Sequence, residues 1–444
     1  MIFRRKVYDQ LLQWKERYST HYAVLLEGPR RVGKSTIAEN FAKEHYRSYI
    51  KVDFAHVTPE MLQIFDTIAD LNLFFLRIQA ATNIKLYEHE SVLIFDEIQL
   101  QPKVRQAIKY LVADGRYSYI ETGSLISIRK NVKDIVIPSE EHRIAVHPMD
   151  YEEFLWATGG DPDIIRELCS SGQAAGNALN AKLMRDFRIY MAVGGMPQAV
   201  ETYIEQNNLQ DVDFVKRKIM ELYEEDFGKI DPSGRISMMF DDIPAQLSHN
   251  KKRFSIRSAV KTKKTRLDEE RFHDLLDSRT VLPSYNVSNP EVSLSQSRDI
   301  ASYKLYYADT GLFVTSIFSA YPENQDIYNK LLSDGLRANL GYLYENAAAQ
   351  ILFSSGRDLY YHTWRKQDST HSYEIDFLTI SGRKIVPVEI KASSVRNHES
   401  IEAFMQKYSK SVSTAYLFSQ KDVSREGNIR MYPMYMMPFA IENL

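Results

Sequence analysis

The chain has 444 residues, 44% apolar and 26% charged, with a formal net charge of -2. That length excludes a single hydrophobic core, and the near-neutral charge excludes a globally basic coat, so any nucleic-acid contact must come from a local patch. The single cysteine, Cys169, excludes an internal disulfide framework and a cysteine-rich zinc site. The basic start, Met1 to Lys6, is not followed by an apolar signal core, and no run reaches the length of a membrane span. The expectation is a cytoplasmic protein with no membrane contact.

Val7 to Tyr18 reads as an amphipathic helix, and strands are predicted at His21–Leu26, Ser48–Phe54, Ser91–Asp96, Ser118–Thr122 and Ile144–His147. Strands alternating with helices over about residues 20–150 predict a parallel sheet covered on both faces. After the first strand comes Gly28-Pro29-Arg30-Arg31-Val32-Gly33-Lys34-Ser35, which fits G-x-x-x-x-G-K-[ST] without mismatch; Thr36 opens the helix that follows. Glycines let the loop curl its N–H groups inward at an anion, and the helix N-terminus adds its positive dipole end. The expectation is ATP binding, with Lys34 on the β- and γ-phosphates and Ser35 on Mg²⁺.

Val92-Leu93-Ile94-Phe95-Asp96-Glu97 is an apolar strand ending in two acids. Asp96 is placed to position Mg²⁺, and Glu97 to act as general base for an attacking water. Asp followed by Glu favours ATP hydrolysis over a GTPase, in which a Gln usually orients the water. The fourth strand ends in Glu121-Thr122-Gly123-Ser124, so Thr122 and Ser124 are candidates for contacting the γ-phosphate; a helix-capping turn explains either one equally well. Arg143 is read either as an arginine finger or as a surface charge.

Helices are predicted from Pro148 to about Asp231, broken at Gly194-Gly195-Met196-Pro197, and read as a lid on the ATPase. Next, residues 251–266 are dense in Lys and Arg and contain no acid. Helices followed by strands at Thr280–Val287 and Ser302–Ala308 predict a winged-helix-like domain whose basic segment contacts DNA phosphates; a solvated surface or protein-interaction arm explains it as well.

From Leu336 a second α/β domain is predicted. Ser381-Gly382-Arg383 is a turn between strands Tyr373–Ile380 and Lys384–Lys391. Centring the turn between Gly382 and Arg383 places Asp376 opposite Glu389, with Lys391 on the same face. Facing carboxylates repel unless a cation lies between them. Asp376 and Glu389 are therefore candidate metal ligands and Lys391 a catalytic group near a scissile phosphate, with a helix acid such as Glu345 beside them. A cross-strand Lys–Glu pair accounts for the pattern without chemistry, and Pro387 is expected to disturb the ladder.

In this order the motifs resemble those of bacterial and archaeal AAA-type ATPases that carry a C-terminal domain of unknown function. That domain is of the restriction-endonuclease-like, PD-(D/E)xK type. The resemblance spans nearly the whole chain. It rests on the phosphate loop, Phe95–Gln99, Thr122–Ser124, Gly194–Pro197, Lys304–Leu312, Glu374–Phe377 and Val388–Ala392. Two positions depart from the family pattern: His142-Arg143 stands where Gly-Arg is common, and Arg31 where Gln is frequent.

The resemblance implies an α/β multidomain protein: an AAA-type domain at 1–150, a helical lid at 151–232, a winged-helix-like domain at 233–320 and a nuclease-like domain at 321–444. The leading expectation is an ATP-hydrolysing protein acting on, or regulated by, nucleic acid, with a metal-dependent nuclease domain. The alternative is a switch ATPase, responding to nucleotide through self-assembly or a protein partner, whose C-terminal fold is an inactive docking module.

Overall fold

The computed structural model describes residues 1–123, 138–249, 253–261, 265–318, 325–333, 341–366, 371–392, 398–442 and 444. They form two compact units, Met1–His147 with Asp277–Arg279, and Pro148–Leu276 with Thr280–Leu444.

The first unit runs α1 (Val7–Arg17), β1 (Ala23–Glu27), α2 (Lys34–His45), β2 (Ser48–Asp53), α3 (Pro59–Phe65), α4 (Leu71–Thr82), β3 (Ser91–Asp96), α5 (Pro102–Asp114), β4 (Ser118–Gly123) and β5 (Glu141–Ala145). The five strands are all parallel, in the order β2-β3-β4-β1-β5. Every residue of β1 and β3 is buried, as apolar runs must be when both faces of a sheet are covered. On one face Leu25, Leu93, Phe95 and Tyr119 pack against Phe74, Ile78, Ile108 and Leu111 of the helices. The last strand starts at Glu141, three residues before its predicted start, because Ala23–Glu27 pairs in register with Glu141–Ala145. Its polar start, Glu141-His142-Arg143, hid it from a hydrophobicity pattern.

The second unit opens with α6 (Tyr151–Thr158), α7 (Pro162–Ser171), α8 (Asn177–Val193), α9 (Pro197–Gln206) and α10 (Leu209–Ile230). A capping box starts α6: Glu153 N–H donates to Asp150 Oδ1 (2.9 Å) and Asp150 N–H to Glu153 Oε2 (3.1 Å). Then come α11 (Arg235–Asp241), α12 (Ile243–Ser248), α13 (Ile256–Ala259), α14 (Arg266–Asp277), the hairpin β6 (Val281–Val287) and β7 (Arg298–Tyr307), α15 (Thr310–Ile317) and α16 (Gln325–Leu332). The chain ends with α17 (Gly341–Ser354), β8 (Leu359–Arg365), β9 (Ser372–Ser381), β10 (Lys384–Ile390), α18 (Glu399–Lys407), β11 (Ala415–Ser419), β12 (Ser424–Glu426), β13 (Ile429–Pro433) and α19 (Met437–Glu442).

Eight strands make one mixed sheet, β12-β13-β11-β10-β9-β8-β6-β7. Two features of the fold cross the expected domain limits. The helices read as a lid on the ATPase cluster with the second unit, where α8 and α10 pack on α15. The β6–β7 ribbon follows its helices in the order expected of a winged helix, and Phe254 N–H donates to Tyr303 O of β7 (2.6 Å). Its other edge, however, pairs in parallel with β8, Ser284 opposite Leu359 and Asn286 opposite Tyr361. The ribbon and the C-terminal strands therefore share one sheet across the boundary expected at 320.

Candidate nucleotide and carboxylate sites

In the first unit the phosphate loop joins the buried end of β1 to α2. Gly33 caps α2 at φ 93°, and Arg31 stands at φ 70°, the left-handed region that glycine enters freely and arginine does not. At Gly28 an added Cβ would lie 2.2 Å from Val146 O, so only glycine lets the loop pass so close to the chain leaving β5. Arg5 is buried and braces both segments, donating to Val32 O (3.2 Å) and His147 O (2.6 Å). Nothing in the basic N-terminal run marked that role.

Lys34 is buried and folds back on its own loop, donating to Gly28 O (3.0 Å) and Pro29 O (2.9 Å). Burial pulls its ammonium down to about 8, against the opposing pull of Glu97 and Asp96. Ser35 Oγ donates to Asp96 Oδ1 (2.7 Å), and the Thr122 hydroxyl bonds the same oxygen. Thr122 Oγ1 accepts from Glu97 N–H (3.2 Å), while the Gln99 amide holds the Glu97 carboxylate. Lys51 of β2, absent from the sequence expectations, lies 3.3 Å from Asp96 Oδ2 and 3.3 Å from Glu39. The structure thus gathers Lys34, Ser35, Asp96, Glu97 and Thr122 around the loop; Ser124 lies outside the described residues. Arg143 is a partly covered surface residue on β5, 3.6 Å from Glu141.

The second site belongs to the second unit. The β9–β10 register runs from Ser381 opposite Lys384 to Phe377 opposite Val388 without interruption at Pro387. The proline is tolerated because N–H groups at alternate positions point toward β11: Ile385 donates to Ser411 O and Lys391 to Phe418 O. Pairing with β11 begins only at Val388. The missing donor therefore falls where no ladder exists.

One step beyond Phe377, Asp376 takes the N–H of Ile390 (2.8 Å) on its carboxylate. Glu389 is 3% exposed, and its Oε1 lies 2.6 Å from Lys391 Nζ. Its Oε2 is buried without a hydrogen-bond partner. Burial, then the facing acid Glu389, then Glu345, push the Asp376 carboxyl well above its ordinary range. Burial raises Glu389 as well, with Lys391 opposing. Glu345 projects from α17, where Lys304 Nζ reaches it (2.8 Å) and also reaches Glu374 (2.7 Å); the Tyr306 hydroxyl bonds Glu345 too. Asp376, Glu389 and Lys391 lie together on the hairpin, with Glu345 of α17 beside them. Lys304 and Glu374 join them unforeseen.

Among the described residues, the one group of three metal-type side chains whose ligand atoms all lie within 4.8 Å is elsewhere, at His398, Glu402 and Glu426. The two glutamates there are exposed, and both pair with His398 Nε2, at 3.2 and 3.4 Å.

The basic segment lies partly outside the described residues, including Lys251, Lys252, Lys263 and Lys264. Its described basic side chains Arg253, Arg257, Lys261 and Arg266 are exposed, the last at the start of α14, while Phe254, Ile256 and Ala259 are core. The following helix, α14, turns Glu269, Glu270 and His273 outward. Its Arg271 is committed to Asp231 (3.0 Å) and Asp268 (3.0 Å). That helix surface repels a phosphate backbone, so the basic side chains before it are the ones suited to an anion.

Three family models match successive parts of the chain. A family model described as an AAA domain matches residues 20–155. Two models described as domains of unknown function, DUF8612 and DUF4143, match 184–319 and 340–437. The chain contains an AAA-type P-loop ATPase domain. It is an ATP-hydrolysing enzyme.

Among solved structures, the Walker-type ATPase PABY2304 of Pyrococcus abyssi is 17% identical over 71% of this chain and 96% of its own, with a TM-score of 0.43. The Thermotoga maritima RuvB Holliday junction branch migration motor is 15% identical over 63% and 89%, with a TM-score of 0.29. No curated protein matches the chain. No helix of the described residues is long and apolar enough to cross a membrane.

Proposed function

We propose that this ATPase acts on nucleic acid and that its second unit hydrolyses phosphodiester bonds with the help of a divalent ion. The observation that carries the reading is the β9–β10 hairpin, where Asp376 and Glu389 face each other beside Lys391. The orphaned Glu389 Oε2 and the raised carboxyls are what an acid pair shows when it is built around a cation. Asp376 and Glu389 would hold the ion, and all their donors are hard oxygens of the kind Mg²⁺ accepts. Once bound, such an ion lowers the pKa of water and neutralises charge on the phosphate. Lys391, held by Glu389, places a positive charge next to the reacting phosphate.

At the ATP site, Lys34 exchanges its two carbonyl partners for the β- and γ-phosphates. The juxtaposed oxygens of Ser35 and Asp96 suit Mg²⁺, whose role there is to neutralise the phosphates. Glu97, oriented by Gln99, takes the proton of the attacking water. Thr122 couples Asp96 to the Glu97 backbone and so relays phosphate occupancy. Arg253, Arg257 and Lys261 supply the DNA contact, in a cytoplasmic setting compatible with the lone, buried Cys169.

Cleavage of labelled single- and double-stranded DNA and RNA with Mg²⁺ or Mn²⁺, with and without ATP, tests the reading. Cleavage should disappear in Lys391→Ala and Glu389→Gln. No cleavage under any condition would favour the second reading, a switch ATPase with a docking module. The acidic outer face of α14 is the observation on that side, and a change of mass or shape between ADP and a slowly hydrolysed ATP analogue would support it.

A further inference from the structure

We infer that Lys304 is the second cation of the carboxylate site: its ammonium serves Glu345 and Glu374, so a divalent ion is confined to Asp376 and Glu389, and the site takes one ion rather than two. The inference rests on the metal reading given above.

Lys304 comes from β7, the far edge of the sheet, and its Nζ passes over the Tyr361 ring (5.4 Å) to reach Glu345 and Glu374. It is 5% exposed, and its position is imposed rather than chosen. Asn346, next to Glu345 on α17, accepts from Tyr307 N–H (2.8 Å) and donates to Tyr307 O (3.2 Å). Those two bonds hold the end of β7 against α17 and aim Lys304 and Tyr306, on one face of the strand, at Glu345. Burial alone would drive the ammonium toward neutrality; Glu345, Tyr306, Glu374 and Asp376 overcome it and keep Lys304 charged.

Charge balance gives the stoichiometry. Four carboxyl groups, Glu345, Glu374, Asp376 and Glu389, face two ammonium groups, Lys304 and Lys391. With all four ionised around a bound ion, two negative charges remain, which one divalent ion would neutralise. Geometry agrees. Glu345, Asp376 and Glu389 do not together bring one ligand atom each within 4.8 Å of one another, and Glu345 Oε1 is already taken by both Lys304 and Tyr306. Phosphodiester sites with two metals set a pair of ions side by side. Here one of those charges is tethered to the protein, and Glu345 is a lysine holder rather than a metal ligand.

The test counts Mn²⁺ by electron paramagnetic resonance on the nucleotide-free full chain, with circular dichroism to verify folding. Wild type should bind one ion that weakens more than about tenfold in Glu389→Gln but less than about threefold in Glu345→Gln. Lys304→Arg, which keeps the charge, should still bind one. Lys304→Met should admit a second ion that is lost again when Glu345→Gln is added. Two Glu389-dependent ions in wild type, loss of the ion in Glu345→Gln, or a folded Lys304→Met that still binds one would each overturn the inference while leaving the metal reading standing. If Lys304→Met does not fold, the other variants decide the question. No Glu389-dependent ion in any protein would overturn the metal reading and this inference with it.

Discussion

Lys34 and Lys216 are both buried lysines, each pulled down to about 8 by its surroundings, yet they do different work. Lys34 sits in a loop built for an anion, so Lys34→Ala should abolish ATP turnover and leave the circular dichroism spectrum unchanged. Retained turnover would move the phosphate site elsewhere. Glu97→Gln should still bind ATP but hydrolyse it at least about a hundredfold more slowly; unchanged single-turnover hydrolysis would reassign the base.

Lys216 faces no anion site and ties three acceptors together, Ala192 O (2.6 Å), Gly311 O (3.1 Å) and Tyr328 Oη (3.3 Å). Its unfolded-state value is 10.5 and its folded value about 8. Between those values the unfolded chain binds more protons than the folded one, so stability rises with pH through that window, by up to about 3 kcal/mol from this group. Below pH 8 the cost of burying the charge is felt in full. Urea unfolding at pH 7.5 and 9.5 should show this rise in wild type and a flatter profile in Lys216→Met.

At the scale of elements, the break at Gly194-Gly195 is a joint between α8 and α9. A Cβ on Gly194, at φ 84°, would lie 2.4 Å from Asp309 Oδ1 and 2.8 Å from Gly311 Cα. Gly195 N–H donates to Asp309 Oδ2 (2.6 Å), and Asp309 Oδ1 caps α15 by accepting from Leu312 N–H (2.8 Å). Two of the motifs that carry the family resemblance, Gly194–Pro197 and Lys304–Leu312, thus meet in one buried backbone contact. Gly194→Ala should cost about 3 kcal/mol or more, through both clash and backbone strain. A loss under about 1 kcal/mol in denaturant unfolding would mean that the contact yields.

At the scale of the whole molecule, the shared sheet makes the second unit indivisible near residue 320. A fragment beginning at 321 lacks β6 and β7, leaves the β8 edge unpaired and removes Lys304 from between Glu345 and Glu374. It should be poorly soluble and weakly structured, whereas a fragment beginning at 148 should fold. Circular dichroism and size-exclusion chromatography of the two check this, and a well-folded monomer from 321 would count against it.

What the residues announced by themselves was whatever is contiguous or periodic. The phosphate loop is a single run. The acidic end of β3 is a buried apolar strand followed by two charges. The Asp376–Glu389 face follows from a two-residue period folded about Gly382, and the observed register matches that count. Only the tertiary structure decided the remainder. Arg5 braces a loop 27 residues away; Lys304 meets Glu345 and Glu374 at separations of 41 and 70 residues. The ribbon joins β8 through a parallel pairing that no turn in the sequence encodes. Such partners have no fixed spacing, because they are chosen by how sheets and helices stack to bury apolar surface. A buried lysine is kept charged only by acids that the same stacking delivers.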